Sequence, residues 1–431
     1  MDSTIIITDL VFILLHFFVL LINFYLFEKK IFHPAVLFSA IWFFIILLHF
    51  LFQFTLLPEL ESLSLNVYLV FFAGAVFFSG SSLLLLSYLR KLNRTGSAGK
   101  NSNSINFQIR AAFTFIIFIG LPFYIQASFK IFLESQIENF FIGLRNELTN
   151  NEVDIGPLKY LISLSYVVTA FNLHAFYQSK SKLNLLLVIL SFIFTTTYAI
   201  FATGRTMFFM ILIIYLGISL MANKNFSLRK YLVSILFFVI IFISFGIILG
   251  KGGSSEGDTK NNLVESSKYL GIYMVTSLNA LDRQLNQHLE GRAEGDYSIR
   301  FFIKAAMSAG IVPQRKINQP EHNYAFVPYP TNVYTYYSPY ISDFGKLYSW
   351  IMLGLFGLLH SWFYYSARYY ESKRAILYYA FLLFPLMLSF FDDLYFSLFS
   401  FWIQLAFFTE IILAFDFFMN VRFNSFSKKV A

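Results

Sequence analysis

The chain of 431 residues contains no cysteine. This absence excludes disulfide bonds, thiolate catalysis and zinc sites built on cysteine. Histidine and acidic residues do not recur at the spacing of a metal site, so the sequence predicts no metal and no cofactor. Charged residues are also scarce, at 13% of the chain.

Hydrophobic residues, in contrast, form 57% of the chain, and phenylalanine alone occurs 57 times. A soluble protein of this length has too little polar surface to cover so many apolar side chains. The apolar runs are continuous over about 20 residues, as in transmembrane helices, and do not alternate as in a transmembrane barrel. The composition therefore predicts an all-α fold, a polytopic transmembrane helical bundle.

We expect about eleven spans and one large folded loop. The spans cover residues 5–27, 34–56, 67–89, 111–130, 161–177, 183–201, 207–221, 231–249, 346–365, 375–390 and 397–419. Residues 1–249 then hold spans 1–8 and an external interfacial helix near 131–145. Residues 250–345 form the large loop, and residues 346–431 hold spans 9–11 and a tail.

Basic residues predict the orientation of these spans. Segments after odd-numbered spans carry 18 of the 32 cations, whereas the short segments on the other side carry only Lys130, Arg145, Lys159 and Arg205. Because basic loops stay in the cytoplasm, the N-terminus is expected outside and the C-terminus inside. The net charge of +8 then reflects topology, and nucleic acid is not an expected partner.

The large loop is too long to be structureless, and we expect it to fold onto the ends of the spans. Apolar residues at helical spacing predict a helix around 270–285. A second helix, 298–309, is expected to carry Arg300 and Lys304 together on one face. A run rich in proline and tyrosine, 313–340, then leads back to the membrane.

Arg205 is the sharpest single candidate for function. It lies in Ala202-Thr-Gly-Arg-Thr206, a short external turn between two apolar spans. A guanidinium pairs bidentately with a pyrophosphate and keeps its charge at physiological pH. The alternative is an arginine that reaches lipid phosphates and fixes a helix end, and placement alone leaves both open.

Four cations of the large loop add positive charge beside the outer face. They are Arg283, Arg292, Arg300 and Lys304. Converging on one anion, these side chains would form an electropositive clamp for a substrate. Spread over a solvated face, they would bind nothing specific.

Two groups on the same face are candidates for a general base, Asp343 and His322. A carboxylate beside the bilayer accepts a hydroxyl proton if burial raises its pKa. The alternative for Asp343 is capping of the helix that follows it. His322, in Glu321-His-Asn-Tyr, is more typical of a loop histidine.

The adjacent acids Asp392 and Asp393 lie in the last external turn, but they do not form a D-x-D metal motif.

The large loop ends in Asn332-Val-Tyr-Thr-Tyr-Tyr-Ser-Pro-Tyr-Ile-Ser-Asp-Phe-Gly345, directly before an apolar span. Tyrosine combines a flat apolar ring with a hydroxyl, which suits a sugar and equally suits the membrane interface. Within this stretch Tyr334 and Tyr336 are the better candidates for substrate binding, together with Asn332 and Gly345.

This N-V-Y-T…Y-x-D-F-G pattern and the Thr-Gly-Arg-Thr turn resemble motifs of the bacterial oligosaccharide repeat-unit polymerases, the Wzy-type O-antigen polymerases. The chain departs from these proteins at Tyr348, where a second glycine is common. The related O-antigen ligases tend to have a histidine before the asparagine, and residue 331 here is threonine. That difference favours a polymerase over a ligase.

The resemblance implies a membrane glycosyltransferase of the GT-C type in the bacterial inner membrane, with its large loop in the periplasm. Such an enzyme transfers a growing glycan from undecaprenyl pyrophosphate onto the next lipid-linked repeat unit. Besides these lipid-linked oligosaccharides and the membrane lipids, a chain-length-regulating co-polymerase is an implied partner. Arg205, assisted by Arg300 or Lys304, would hold the leaving pyrophosphate, and Asp343 would orient or deprotonate the acceptor hydroxyl.

Two other functions compete with this one. A flippase or secondary transporter for lipid-linked oligosaccharides predicts internal pseudo-repeats and paired interrupted helices at mid-membrane. The sequence contains no such symmetry, and its polar features concentrate on one face, which favours an enzyme. An O-antigen ligase would use the same class of donor and attach the glycan to lipid A-core.

Overall fold

A computed structural model describes residues 3–92, 105–149, 153–222, 259–287, 291, 293–317 and 325–430. These residues contain fourteen α helices: α1 Ser3–Leu26, α2 Pro34–Phe54, α3 Leu65–Leu92, α4 Phe107–Glu134, α5 Phe140–Thr149, α6 Tyr160–Ser179, α7 Lys182–Phe201, α8 Arg205–Ala222, α9 Thr259–Asn286, α10 Arg300–Ser308, α11 Tyr337–Phe344, α12 Lys346–Tyr369, α13 Lys373–Met387 and α14 Phe399–Val430. A 3₁₀ turn, Gly156–Lys159, precedes α6. Strands β1 Ala325–Phe326 and β2 Pro330–Thr331 form an antiparallel pair.

The predicted all-α class is confirmed, and the apolar helices confirm the prediction of a membrane-embedded chain. Six segments are long and apolar enough to cross a bilayer: Ile6–Leu26, Pro34–Phe54, Leu65–Lys91, Phe107–Glu134, Lys182–Phe201 and Phe399–Met419. Four further expected spans coincide with α6, α8, α12 and α13. The expected span 231–249 lies outside the described residues, and the total of eleven spans stays a prediction.

Capping residues determine where several helices begin. Proline at the first position of α2 is compatible with a helix start, and the preceding His33 accepts a hydrogen bond from Ala35 N–H through its Nδ1 atom at 3.2 Å. Asn106 caps α4 by accepting from Gln108 N–H at 2.9 Å. Ser181 caps α7 in the same way. Each of these side chains satisfies a backbone N–H that has no partner within its helix.

The chain forms two compact units that do not follow its three consecutive expected segments. Unit 1 consists of Met1–Gly99, Ser255–Tyr369 and Leu382–Phe399, and therefore combines α1–α3 with the large loop and α12. Unit 2 consists of Lys100–Ser254, Tyr370–Phe381 and Ser400–Ala431.

In unit 2, buried polar groups hold the start of α4. Arg110 is 3% exposed, and its guanidinium donates to Asn184 Oδ1 at 2.7 Å and to Asn172 Oδ1 at 3.3 Å. Nearby, Asp416 accepts from Asn106 N–H at 2.9 Å and from Lys373 Nζ at 2.6 Å. Charges inside an apolar bundle need such partners, because an unpaired one is costly to bury.

In unit 1, α3 and α12 make the closest helix pair. Trp350 Nε1 donates to the carbonyl of Val70 at 3.2 Å, and Ser82 Oγ donates to the carbonyl of Gly357 at 3.3 Å. A Cβ atom on Gly357 would lie 2.5 Å from the carbonyl oxygen of Phe78, so only glycine allows this approach. The order of these contacts shows that the two helices run in the same direction.

Helix α11 inserts among α2, α3 and α12. The ring of Tyr337 lies 5.2 Å from the ring of Trp42 and 5.4 Å from the ring of Phe71. Its hydroxyl occupies the space left by Gly74, where a Cβ atom would collide with it. The stretch Asn332–Gly345, expected at the edge of the bilayer, is therefore packed into the bundle from Tyr336 to Ile341, with no exposed surface on Tyr336, Tyr337, Tyr340 and Ile341.

Gly345 makes the reversal between α11 and α12. Its backbone has φ +83° and ψ 178°, a region that is nearly closed to residues with a Cβ atom. The adjacent helices are fixed by packing, so this turn has little freedom to relax. The glycine predicted to bind substrate thus has a clear conformational role.

We predict that Gly345→Ala lowers the free energy of unfolding by about 1–3 kcal/mol, because alanine is strained in this conformation. Thermal unfolding of the purified protein in detergent measures the loss. Gly80→Ala is the matched control: it lies inside α3, and a Cβ atom there meets nothing within 4 Å. The control should be neutral or slightly stabilising. Equal behaviour of the two variants would contradict the assignment.

Candidate functional site

The second half of α9 fastens the large loop to the helices of unit 1. Asn279 Nδ2 donates to the carbonyl of Glu61 at 2.7 Å, and Asn279 Oδ1 lies 2.8 Å from His49 Nε2. One turn further on, Asp282 accepts the N–H of Ser64 at 2.8 Å and also its hydroxyl, at the start of α3. These bonds connect α9 to both α2 and α3.

The same helix also holds the chain that follows it. Gln284 Nε2 donates to Ser342 Oγ at 2.7 Å, and Ser338 Oγ donates to Gln284 Oε1 at 2.5 Å, so α11 is bound from one side. Ser277 Oγ donates to the carbonyl of Phe390 at 2.7 Å, in the turn between α13 and α14. Helix α9 is therefore connected to α2, to the start of α3, to α11 and to the turn after α13.

Asp343 lies on α11 and is 2% exposed. One carboxylate oxygen accepts from Tyr297 N–H at 3.2 Å, and the other accepts from Ser298 N–H at 2.6 Å and Ser298 Oγ at 2.5 Å. Burial raises the pKa of Asp343, and the hydrogen bonds from Ser298 and Tyr297 oppose that shift. These bonds favour the ionised form, so they act against the uptake of a proton.

The contacts of Asp343 favour a positioning role. The N–H groups that it satisfies belong to the turn before α10, about 45 residues earlier in the chain, and not to α12 directly after it. Asp343 therefore does not cap α12, which was the structural alternative to catalysis. Its hydrogen bonds connect the turn before α10 to α11. Its role as a general base stays a prediction.

We predict that Asp343→Asn destabilises the protein by about 1–3 kcal/mol, because the amide offers one acceptor where the carboxylate offers two. Thermal unfolding measures the loss, and hydrogen exchange should locate it at residues 293–298. Ser298→Ala removes one donor without leaving a charge unpaired, so its cost should be smaller. A variant as stable and as protected as the wild type would contradict this role.

Asp393 is a second buried carboxylate in unit 1, at 1% exposure. It lies in the turn 388–398 between α13 and α14, where Oδ1 accepts from Tyr395 N–H at 3.0 Å and Phe396 N–H at 3.4 Å. The hydroxyl of Tyr340 lies close enough to the Asp393 carboxylate for a side-chain hydrogen bond that partly opposes the rise of its pKa, and the hydroxyl of Tyr336 lies beside that of Tyr340.

Aromatic residues enclose this carboxylate. We call Tyr336, Tyr340, Asp393, Tyr395 and His360 the tyrosine–aspartate cluster. His360 Nε2 lies 2.7 Å from the hydroxyl of Tyr395, and Tyr336 N–H donates to the carbonyl of Ser389 at 2.9 Å. The rings of Tyr336 and Tyr340 are 4.7 Å apart, and the rings of Tyr336 and Tyr395 are 5.8 Å apart. Polar atoms from three separate segments thus meet inside an apolar shell.

Burial also changes the acidity of the two adjacent acids in this turn. Desolvation raises the pKa of Asp393 to about 7. Desolvation and the charge of Asp393 raise the pKa of Asp392 to about 7 as well. A pair of carboxyl groups that titrates near neutrality can take up and release protons at physiological pH. Asp343 is less suited to this, because both of its oxygens already accept hydrogen bonds.

The other predicted site residues lie in several separate segments of the chain. Arg283 Nη1 donates to the carbonyl of Phe326 at 3.0 Å, and Tyr334 packs against Ala280, Ala325 and Val327. Arg300 begins α10 and is half-buried, whereas Lys304 is exposed on the same helix, and Asn332 is half-buried directly after β2. Arg205 is the first residue of α8 in unit 2, but its side chain lies outside the described part. Arg292 and His322 lie outside the described residues.

Sequence reasoning missed most of the tyrosine–aspartate cluster. Only Tyr336 was a substrate-binding candidate, and Asp392 and Asp393 were considered only as a metal motif. The available signal was the presence of two acids within a turn of eleven residues between apolar helices. No family model, no curated protein and no solved structure matches the chain, so its interpretation depends on its own residues and geometry.

We predict that Asp393→Asn changes the pH dependence of stability. An acid whose pKa is raised on folding binds more protons in the native state between its unfolded pKa, about 3.9, and about 7. Its contribution to stability therefore falls as pH rises through that window. The Tm of Asp393→Asn minus that of the wild type should rise from pH 5 to pH 8.

The control for this comparison is Asp154→Asn. Asp154 is exposed and paired with Lys159 at 2.6 Å, an interaction that lowers its pKa. It stays ionised throughout the same pH range, so its Tm difference from the wild type should be constant. A constant difference for Asp393→Asn would show that Asp393 does not titrate in this window.

Proposed function

We propose that this protein polymerises lipid-linked oligosaccharide repeat units as a membrane glycosyltransferase. The proposed substrates are oligosaccharides on undecaprenyl pyrophosphate, at the periplasmic face of the bacterial inner membrane. In this topology the N-terminus and the large loop are periplasmic and the C-terminus is cytoplasmic. The observation that supports the proposal is the stretch Asn332–Gly345, whose pattern resembles the repeat-unit polymerases and which packs into the helix bundle.

The insertion matters because it buries tyrosine hydroxyls inside an apolar bundle. Polar groups are costly in such an environment, and those that occur there tend to be functional. Here the backbone before α11 is held by Ser389, and α11 itself is held by Gln284. With this segment fixed, the half-buried side chains of Asn332 and Tyr334 just before it are held in place, and sugar recognition requires such a defined arrangement.

The proposed reaction is a substitution at an anomeric carbon. A hydroxyl at the non-reducing end of the acceptor repeat attacks C1 of the donor glycan, and the bond from C1 to the pyrophosphate oxygen breaks. The hydroxyl proton passes to a base, and undecaprenyl pyrophosphate leaves with the bonding electrons. Fixed cations stabilise the charge that develops on this leaving group without a metal ion.

Arg205 is the proposed partner of the leaving pyrophosphate. It stands at the N-terminus of α8, and the unpaired N–H groups of a helix N-terminus also favour an anion. Its guanidinium can donate two parallel N–H bonds to two phosphate oxygens, a geometry that the ammonium group of lysine does not reproduce. The roles of Arg300 and Lys304, on α10 of unit 1, stay predictions from the sequence.

We predict that Arg205→Ala reduces polymerisation by about 100-fold, because removal of one transition-state donor typically costs that much. The measurement is the lipopolysaccharide or capsule banding of a deletion strain that expresses each variant. Arg205→Ala should give single-repeat capping, and Arg205→Lys should restore part of the ladder. Lys159→Ala, which removes an exposed cation paired with Asp154, should give a complete ladder.

Immunoblotting of membranes should confirm equal amounts of the variants. A full-length ladder from Arg205→Ala would remove this residue from the mechanism. Loss of the ladder in the lysine variant and in Lys159→Ala alike would indicate general instability and would also contradict a specific role.

One observation favours the second candidate function, a transporter for the same lipid-linked sugars. Helix α13 has 15 residues, about 22 Å at 1.5 Å per residue, which is shorter than the hydrocarbon core of about 30 Å. It ends in the non-helical turn that carries Asp393. Interrupted helices with a buried acid are typical of coupling sites in secondary transporters. Reconstitution in proteoliposomes separates the two functions. The lipid-linked repeats are supplied in the leaflet that faces the proposed active site, so no transport is needed. Formation of polymer would then exclude a transporter that makes no glycosidic bond.

A further inference from the structure

Helix α10 and the turn after it expose a stripe of apolar side chains. Phe302, Ala305 and Ala309 are exposed and recur three or four residues apart, so they lie along one face of the helix. Ile311 and Val312 follow directly and are exposed as well, Ile311 to 77%. We call these five residues the apolar stripe of α10.

The turn that carries Ile311 is held in one conformation. Gly310, at φ +71°, donates its N–H to the carbonyl of Met307 at 3.1 Å, and Ile311 N–H donates to the carbonyl of Ala306 at 2.9 Å. These two bonds form a Schellman motif at the end of the helix. On the far side of the turn, Gln314 Nε2 donates to the carbonyl of Met307 at 2.8 Å. The exposure of Ile311 is therefore a fixed feature of the fold.

The contacts of unit 1 place the start of α10 at the edge of the apolar layer. Ser298, two residues before α10, donates its N–H to Asp343, and α12 begins three residues after Asp343. One turn into α12, Trp350 donates to the carbonyl of Val70, which lies just over one turn into the apolar segment Leu65–Lys91. The starts of α10, α12 and this segment are thus close to one level, and the hydrocarbon of a bilayer begins at that level.

Phe302 connects the apolar stripe to a second segment of this kind. Its ring lies 4.6 Å from the ring of Phe399 and 5.9 Å from the ring of Phe396. Phe399 is the first residue of Phe399–Met419, which is also long and apolar enough to cross a bilayer. The apolar stripe therefore continues from the end of an apolar helix along the level of the bilayer surface.

The charges of the same segment complement an anionic surface. Residues 300–317 contain four cations, Arg300, Lys304, Arg315 and Lys316, and no acidic residue. Arg315 pairs with the buried Asp296 at 2.6 Å, whereas Lys304 and Lys316 are exposed. An apolar face flanked by lysines is typical of helices that lie in the headgroup region of membranes with anionic lipids.

We propose that α10 and the turn 309–316 anchor the large loop to the surface of the bilayer. The apolar stripe lies at the boundary between headgroups and acyl chains, and Lys304 and Lys316 contact the phosphates of anionic phospholipids. Through Ser298 and Asp343 the anchor is connected to α11, so the bilayer helps to hold the inserted stretch. This role of Lys304 differs from the substrate clamp predicted from the sequence. The proposal does not depend on the glycosyltransferase activity.

The absence of cysteine makes the test direct, because one introduced cysteine carries a spin label at one position. The full-length protein is reconstituted in vesicles of phosphatidylcholine and phosphatidylglycerol. The accessibility of the label to oxygen, which concentrates among acyl chains, is compared with its accessibility to a water-soluble nickel chelate. Labels on Ile311→Cys and Val312→Cys should be more accessible to oxygen than to nickel.

Two labelled positions calibrate this measurement. Leu84 is 72% exposed within the apolar segment of α3, so a label on Leu84→Cys should favour oxygen. Asp154 is exposed and charged, so a label on Asp154→Cys should favour nickel. Labels at 311 and 312 that behave like the label at 154 would overturn the proposal and leave the apolar stripe to a protein partner. Low accessibility to both reagents would show that a second copy of the chain covers the turn, and would equally overturn it.

The part played by the cations is tested by omitting phosphatidylglycerol from the vesicles. A lysine near an anionic surface changes membrane affinity by about fivefold. The label on Ile311→Cys should therefore shift towards nickel accessibility in phosphatidylcholine alone, and Lys304→Gln combined with Lys316→Gln should remove this dependence on lipid charge. Lys159→Gln, which removes an exposed cation paired with Asp154, should retain it. Equal accessibility in both kinds of vesicle would contradict the recognition of anionic lipid. None of these results bears on the polymerase, because the assay contains no sugar.

Discussion

The hydrogen bonds of α9 are the interaction on which unit 1 depends. The apolar contacts of Ile272 and Val275 with Leu57 and Leu60 are not directional, so the large loop needs a further reason to adopt one position on the bundle. Asn279, Asp282 and Gln284 supply that reason, since each is nearly buried and each bonds to a different element. An unmade bond at such a position leaves a buried polar group without a partner, so the docked arrangement is strongly preferred.

The inserted segment follows from this arrangement. Once α9 is fixed against α2 and α3, Gln284 holds α11 and Ser277 holds the turn after α13. The tyrosines between them then fill the interior, and their hydroxyls are buried together with Asp393. The polar interior of unit 1 is thus a consequence of how the loop docks, and the proposed sugar chemistry depends on it.

The sequence predicted the helices well and the site only partly. Long apolar runs determine membrane helices by themselves, and the helices α9 and α10 of the loop also follow helical spacing. Helix α11 was not predicted, because its eight residues contain a proline and three aromatic residues and have no length in which a period can be seen. The partners of Asp343 and Asp393 are likewise hidden, because hydrogen bonds to Ser298, 45 residues away, and to Tyr340, 53 residues away, leave no local pattern.

Gly74 and Tyr337 illustrate how such long-range packing constrains the chain. The hydroxyl of Tyr337 occupies the volume that any side chain at position 74 would need, and Trp42 and Phe71 close the other sides. The two positions therefore share one fixed volume, although 263 residues separate them along the chain. Related sequences that acquire a larger residue at one position should carry a smaller one at the other, which makes this pair a signature of the inserted helix.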